Sequence, residues 1–322
     1  MKIIAAGAIV ITAFSCQTCG AAELSYPAKP IRMLVGFGPG GAADVLARIL
    51  GQKLTNAWGQ TVVIDNRPGA TTTIAAETAA NAKPDGYTLL VITSAHAVSA
   101  GLYKKLSYDP VKSFSPITLI ASAPLVLAAT PSLASRSIGE LIAAAKAAPG
   151  KITFGSSGTG SITFLAGELL KSHAEIDIVH VPYKNMSQLQ SDLMAGNIQQ
   201  AFTSIPAGLG LIKSGRIRAL GVTSATRSAS LPDVRTISES GVAGYEVSNW
   251  YGVLAPAGLP RAIMKKVHAQ IVSSVQTPEG IEAITRQGAN PEMNTPDEFQ
   301  AYLASEVAKW TQVVKSAGMQ PE

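Results

Sequence analysis

The sequence predicts a two-lobed α/β fold, each lobe a mainly parallel sheet flanked by helices, with a ligand cleft between the lobes. Three observations carry that expectation. The chain has 322 residues, about two domains' worth. Apolar strand runs alternate with helical patterns at the spacing of right-handed crossovers. A strand, a glycine-rich loop and a helix follow one another twice, first around Gly36–Gly41 and again around Gly155–Ser161. Composition agrees, since charged residues are 15% against a typical ~25% and hydrophobic residues are 47%. That excludes a disordered chain. The net charge of +5 is thinly spread, no run of five basic residues occurs, and aromatics are only 6%. A nucleic-acid footprint is therefore missing.

The first element is an address. Lys2 opens it, Ile3 to Phe14 is an uncharged and mostly apolar run, and Gly20-Ala21-Ala22 supplies small residues for cleavage. This is the order of a secretory signal peptide over residues 1–22. The run is too short for a membrane span, which needs about 20 apolar residues. A retained anchor, or a lipid on Cys16, are the alternatives. Both cysteines, Cys16 and Cys19, fall in this leader, so the mature chain has neither a disulfide nor a thiolate metal site. No twin arginine is present, so the chain crosses the membrane unfolded.

The remaining elements follow in order. Ile31 to Val35 reads as a buried strand, and Asp44 to Asn56 has helical spacing through Val45, Leu46, Ile49, Leu50 and Leu54. Thr61 to Ile64 is a strand, Arg67-Pro68-Gly69 a break, and 72–81 a helix ended by Pro84 and Asp85-Gly86. Tyr87 to Thr93 and Leu125 to Ala129 are strands. Ser137 with Glu140 signals a capped helix, as does Ser187 with Gln190. Lys151 to Phe154, Asp177 to Val181, Gln200 to Ile205 and Ile217 to Val222 supply further strands, and Ile162 to Lys171 a helix. Val247 to Leu254 is an aromatic-rich strand. Thr295, Pro296 and Glu298 then start a long helix with Phe299, Leu303, Val307, Trp310 and Val314 on one core-facing side.

Each glycine-rich loop places unpaired amides and the positive end of a helix dipole at one spot, so two such loops suggest an anion held between two halves. Other chemistry fits poorly. Gly36, Gly38 and Gly41 satisfy the dinucleotide fingerprint, with Asp65 at the end of the next strand, but Pro39 removes an amide inside the loop and an exported chain leaves the nicotinamide pool. The second loop ends Gly160-Ser161 without the phosphate-binding lysine of a P-loop. The Gly155-to-Thr159 stretch lacks the final glycine of a nucleophile elbow. No two of His96, His173, His180 and His268 are spaced as a helical metal pair. His180 reads as a satisfied strand residue, and His96 as a candidate for lining a pocket. Asp44 opens the first helix, where a carboxylate is favoured; any role at an anion site would be indirect.

An ordered set of stretches resembles one family. They include Tyr26-Pro27-Ala28-Lys29-Pro30-Ile31, Gly38-Pro39-Gly40-Gly41 with Asp44, Asn66-Arg67-Pro68-Gly69-Ala70 and Lys83-Pro84-Asp85-Gly86-Tyr87. Gly155-Ser156-Ser157-Gly158, His180-Val181-Pro182-Tyr183-Lys184, Leu231-Pro232-Asp233-Val234 and Ala255-Pro256-Ala257-Gly258-Leu259-Pro260 continue it. The set resembles the solute-binding receptors of tripartite tricarboxylate transporters, the Bug-type or TctC-like proteins, over nearly the whole mature chain.

The resemblance implies a periplasmic-binding-protein-like fold of type II and a non-catalytic periplasmic receptor. That receptor closes on a small organic acid, aliphatic or aromatic, mono- or dicarboxylate, and delivers it to the membrane components of a transporter. It implies no cofactor, no metal and a monomer. Lobe one would span 23–123 plus 245–322, and lobe two 124–244. The implied ligand-binding residues are Phe37, Gly38, Gly40 and Gly41 of the first loop, Ala42, Ala43 and Asp44 of the following helix, and Ser156, Ser157, Gly158, Thr159 and Ser161 of the second loop. Ser94, Tyr183 and Ser204 complete the set. Ala42-Ala43 replaces the glycine and threonine often seen before the aspartate. Thr203-Ser204 stands where many members carry an aspartate, which favours a simple carboxylate over an amine-bearing ligand. The alternative function is a secreted hydrolase acting on a carboxylate ester.

Overall fold

One strand belongs to both halves of the molecule, and the rest of the topology is arranged around it. In the computed structural model, residues 26–183 and 186–319 are described, so the leader, its cleavage site and Cys16 lie outside the described residues. The first half begins with β1 (Ile31–Val35), α1 (Ala42–Trp58), β2 (Val62–Asn66), α2 (Thr73–Ala80), β3 (Thr88–Thr93) and α3 (Ser94–Leu102). The shared strand is β4 (Phe114–Ala129). The second half adds α4 (Ile138–Ala147), β5 (Thr153–Ser156), α5 (Ile162–Ala174), β6 (Val179–Pro182), α6 (Met186–Ala195), β7 (Gln200–Ser204), α7 (Ile205–Lys213) and β8 (Arg218–Val222). The chain then returns through β9 (Ser248–Pro256), α8 (Arg261–Val275), α9 (Pro278–Arg286), β10 (Asn290–Pro291) and α10 (Pro296–Ser316).

The strands run in the order β2-β1-β3-β9-β4-β7-β5-β6. The front of β4, Phe114 to Pro124, pairs with β9, and its back, Leu125 to Ala129, pairs with β7 and β8. Pairing is parallel at β2-β1-β3 and at β7-β5-β6, as crossover spacing predicts. It is antiparallel at β3-β9, β9-β4 and β4-β7, so the sheet is mixed at its centre. The sequence shows only the back of β4, because prolines interrupt its front. Pro116 has no N–H for the ladder, and the register with β9 shifts between Pro116 and Thr118 to absorb it.

Helix starts agree with the sequence in most places. Thr295 and Glu298 form the complete capping box of α10. At α4 the Ser137 hydroxyl accepts from the Glu140 amide, whereas the Glu140 carboxylate accepts from Arg136 N instead of Ser137 N. The expected Ser187 cap is corrected, since α6 already begins at Met186 and the Gln190 amide donates to the Ala207 carbonyl. α3 is an addition, because its SAHAVSAGL sequence reads as a continuation of the apolar strand before it.

The long α10 packs on α3, α5 and β4, and so touches both halves. Its buried face carries Phe299, Leu303, Trp310, Val313 and Val314. Glu306 lies among them, 3% exposed, and one of its carboxylate oxygens accepts from the Trp250 indole at 2.7 Å and from the Trp310 indole at 2.9 Å. Lys309 pairs with its other oxygen. A buried carboxylate is tolerated here because three donors meet it. Glu306→Ala leaves both indole N–H groups without an acceptor and should destabilise the protein by about 3 kcal/mol in urea unfolding. Glu306→Gln keeps an acceptor oxygen and should cost clearly less. Equal losses for the two variants would remove the indole bonds from this account.

Candidate functional site

β3 runs directly, and β1 and β5 through their glycine-rich loops, into the start of a helix, and the three helix starts meet at one cavity of about 370 Å³. α1 contributes Gly41, Ala42 and Ala43, α3 contributes Thr93, Ser94 and Ala95, and α5 contributes Gly160, Ser161 and Ile162. The first amides of a helix have no carbonyl within the helix to bond. Three helix starts, each at the positive end of a helix dipole, therefore border the same space, with Ala95 N taken by Thr93 Oγ1 in α3 and Phe164 N by Ser161 Oγ in α5. Phe37, Thr71, Val98, Asn249 and Tyr251 complete the wall, and none of the lining residues carries a charge. Among the described residues, no cluster of three His, Cys, Asp or Glu could hold a metal ion.

The first loop is braced from behind. Gly40 adopts φ +87°, a conformation that suits glycine, and its amide donates to Asp44 Oδ2 at 2.9 Å. Asp44 Oδ2 also accepts from Arg48 Nε, and its Oδ1 from Asn66 Nδ2, each at 2.9 Å. The same Asn66 amide group donates to the Phe37 carbonyl, so the end of β2 holds the loop to the start of α1. Burial acts to raise the Asp44 pKa, but the bonds from Arg48, Gly40 and Asn66 outweigh it and hold it below the ordinary 3.8. Asp44 is thus a positioning residue, neutralised by Arg48 and outside the cavity wall.

The second loop is held by its own hydroxyls. Ser156 Oγ accepts from the Gly158 amide and lies 2.7 Å from His180 Nε2. Thr163 Oγ1 accepts from the Ser157 amide and contacts the Ser157 and Ser161 hydroxyls at 2.9 Å each. Ser161 Oγ donates to the Gly158 carbonyl at 2.6 Å and accepts from Phe164 N, capping α5. The third wall is a relay. Ser94 Oγ donates to Asn249 Oδ1 at 2.8 Å, and Asn249 Nδ2 donates to the Tyr251 hydroxyl oxygen at 3.0 Å. Asn249 and Tyr251 share a face of β9 because side chains alternate along a strand. Burial pushes the Tyr251 phenol up to about 12, so it keeps a proton to donate.

Of the sequence-predicted residues, the cavity gathers Phe37, Gly41, Ala42, Ala43, Ser94 and Ser161. Gly38, Gly40, Ser156, Ser157, Gly158 and Thr159 belong to the two loops but do not line it. Tyr183 is turned to Asp192, to which its hydroxyl donates at 2.9 Å, and Ser204 is the residue before α7. His96 is fully buried with Nε2 on the Pro110 carbonyl, away from the cavity. Thr71, Asn249 and Tyr251 went unread because a lone polar residue in a strand or turn carries no motif. The third helix start lacked a glycine to mark it.

A family model described as the tripartite tricarboxylate transporter family receptor matches residues 46–319. The chain belongs to this family of solute-binding receptors. Among its relatives, protein BugT of Bordetella pertussis is 36% identical over 296 residues, covering 91% of each chain. A Rhodopseudomonas palustris protein solved with adipate is 35% identical, with a TM-score of 0.73 over 92% of this chain and all of that one. MatC of the same organism, solved with bound malate, is 27% identical with a TM-score of 0.70 over 90% of this chain and all of that one. The receptor therefore has the two-lobed, type II-like α/β fold that the sequence predicts.

Asp44→Asn should lower stability by about 2 kcal/mol at pH 7, because it removes the charge that three donors share. The sign of its pH dependence is fixed by the depressed pKa. The Asp44 contribution is complete above about pH 4 and is lost as pH falls through the folded-state value, so the two proteins should converge in acid. Thermal unfolding from pH 7 to pH 3 checks this, and a gap that stays constant across the range contradicts it.

Proposed function

We propose that this receptor captures a small organic acid, a mono- or dicarboxylate, in the periplasm and presents it to the membrane components of a tripartite tricarboxylate transporter. One observation carries the reading: three helix starts open on a single cavity whose wall has no charged side chain. Such a site offers hydrogen-bond donors and partial positive charge to a carboxylate, with no carboxylate of its own to repel it. The acids named for the R. palustris relatives, adipate and malate, support the class. Lobe one would comprise 23–123 plus 245–322 and lobe two 124–244, so that α1 and α3 approach the ligand from one lobe and α5 from the other. Residues 1–22 would be removed on export, giving a monomer that starts near Glu23 and uses no cofactor. Among the described residues, no helix is long and apolar enough to cross a membrane.

The Ser156–His180 contact is what a secreted ester hydrolase would require. Ser156 is fully buried and outside the cavity wall, and burial, with a smaller effect from Lys171, lowers the His180 pKa. Among the described residues, no carboxylate orients His180 by a hydrogen bond. The pair therefore reads as support for the second loop, and no ester turnover is expected.

Thermal shift against a panel of organic acids that includes adipate and malate tests the reading. A true ligand at 100 times its dissociation constant adds about 2.7 kcal/mol, on the order of 5–10 °C in Tm for a chain of this size. Ser161→Asp should erase that shift, since aspartate still caps α5 but places a negative charge in the cavity. The unliganded Tm should stay within a few degrees. Full stabilisation of Ser161→Asp by the same acid would move the ligand elsewhere.

A further inference from the structure

The connection from β2 to α2 contains Ala70 at φ +45°, Thr71 at φ +50° and Thr72 at φ +73°, three successive non-glycine residues in the left-handed region. Residues with a Cβ visit that region singly, and β-branched residues least of all. The other described non-glycine residue with positive φ, Glu175, is a single residue at the end of α5, where such a conformation is common. Glycine would accept these angles without strain, yet threonine occupies two of the three positions. Nor do the side chains offset the strain locally. Thr72 Oγ1 is buried without a hydrogen-bond partner, and Thr71 Oγ1 reaches the Tyr103 hydroxyl only at 3.4 Å.

The strained turn is closed by its own backbone and held against the root of the first loop. The Thr72 amide donates to the Gly69 carbonyl at 3.0 Å, and Arg67 N donates to the Val35 carbonyl at 2.8 Å. A Cβ on Gly36 would lie 2.5 Å from Thr72 Cβ, so the absence of a side chain at Gly36 lets the Thr72 side chain seat against the backbone entering the loop. What this support delivers is Thr71, the residue of the turn that lines the cavity. Strain that is maintained without a local gain marks a position whose side chain is in use.

We propose that the left-handed turn at Ala70–Thr72 exists to hold the Thr71 hydroxyl in the cavity, where it recognises a second carboxylate of the ligand and so determines specificity. This rests on the receptor reading above. The helix-start amides suffice for one carboxylate. A second one needs further donors, and Thr71 and Tyr251, two lining residues of the same wall, each carry a neutral hydroxyl. The inference assigns to Thr71 a preference for dicarboxylates over monocarboxylates of equal length.

The test uses the mature full chain with the dicarboxylate of the panel that binds tightest and the monocarboxylate of the same carbon count. Thr71→Val keeps the branched shape and the strain but loses the hydroxyl. It should weaken the dicarboxylate about ten- to hundredfold in calorimetry, change the monocarboxylate less than about threefold, and leave the unliganded Tm unchanged. Thr71→Ser should retain the wild-type preference. Thr71→Gly should show the trade directly, with an unliganded Tm raised by about 2–4 °C and the dicarboxylate preference lost. A Thr71→Gly protein no more stable than wild type, or a Thr71→Val protein with unchanged selectivity, overturns the inference while leaving the receptor reading intact. A wild-type protein that binds no acid overturns both, and is recognised because the parent itself is then silent.

Discussion

The first amides of an α-helix have no carbonyl of their own helix to bond, and burying them without a partner is costly. This protein aims three helix starts at one enclosed space, and much of the structure serves to hold them there. β1 and β3 run parallel, whereas β5, reached through the antiparallel steps β3-β9, β9-β4 and β4-β7, runs the opposite way, so the helices that follow these strands reach the cavity from the two halves. Open α/β sheets bind ligands at the carboxyl ends of their strands for the same reason. The long β4 and the return through β9 then fix the distance between the two halves, and α10 packs across both.

Charge is kept behind the wall. Asp44 could spoil an anion site, but its carboxylate is turned to Gly40, Arg48 and Asn66 and so shapes the loop from outside. The Ser157 and Ser161 hydroxyls are spent on Thr163, and the Ser156 hydroxyl on Gly158 and His180, which makes the second loop a fixed frame around its remaining amides. A site of dipoles and hydroxyls attracts a carboxylate without the long-range pull of lysine or arginine. It orients its ligand by hydrogen-bond geometry. Such recognition leaves little trace in composition, which is why the family is readable from this chain while the ligand is not.

The legible parts of the fold were those where glycine, proline or a capping residue marks a boundary. Gly36–Gly41 before α1 and Gly155–Ser161 before α5 announced two of the three helix starts. The third, Thr93-Ser94-Ala95, is bonded through the Thr93 hydroxyl rather than through a glycine turn, and its apolar helix is continuous in pattern with β3. The front of β4 was hidden by Pro116 and Pro124, residues that normally exclude a strand and here sit at a register shift and near the switch of partners. Asn249 and Tyr251 reach the cavity only because β9 pairs with β3, placing Tyr251 opposite Thr93. That is a long-range pairing of a kind local periodicity does not encode. The left-handed turn before α2 was read as a break at Pro68-Gly69, but its positive φ angles at threonine have no sequence signature.

The central claim is that backbone amides at helix starts, and not charged side chains, bind the ligand's carboxylate. Amide proton shifts in a 15N-labelled protein test it most directly, recorded during titration with the acid that stabilises the protein most. The account predicts that the amides of Ala42, Ala43 and Ile162 move furthest downfield, together, with a single saturation curve. Shifts concentrated at surface lysines and arginines, with these three amides unmoved, would contradict it.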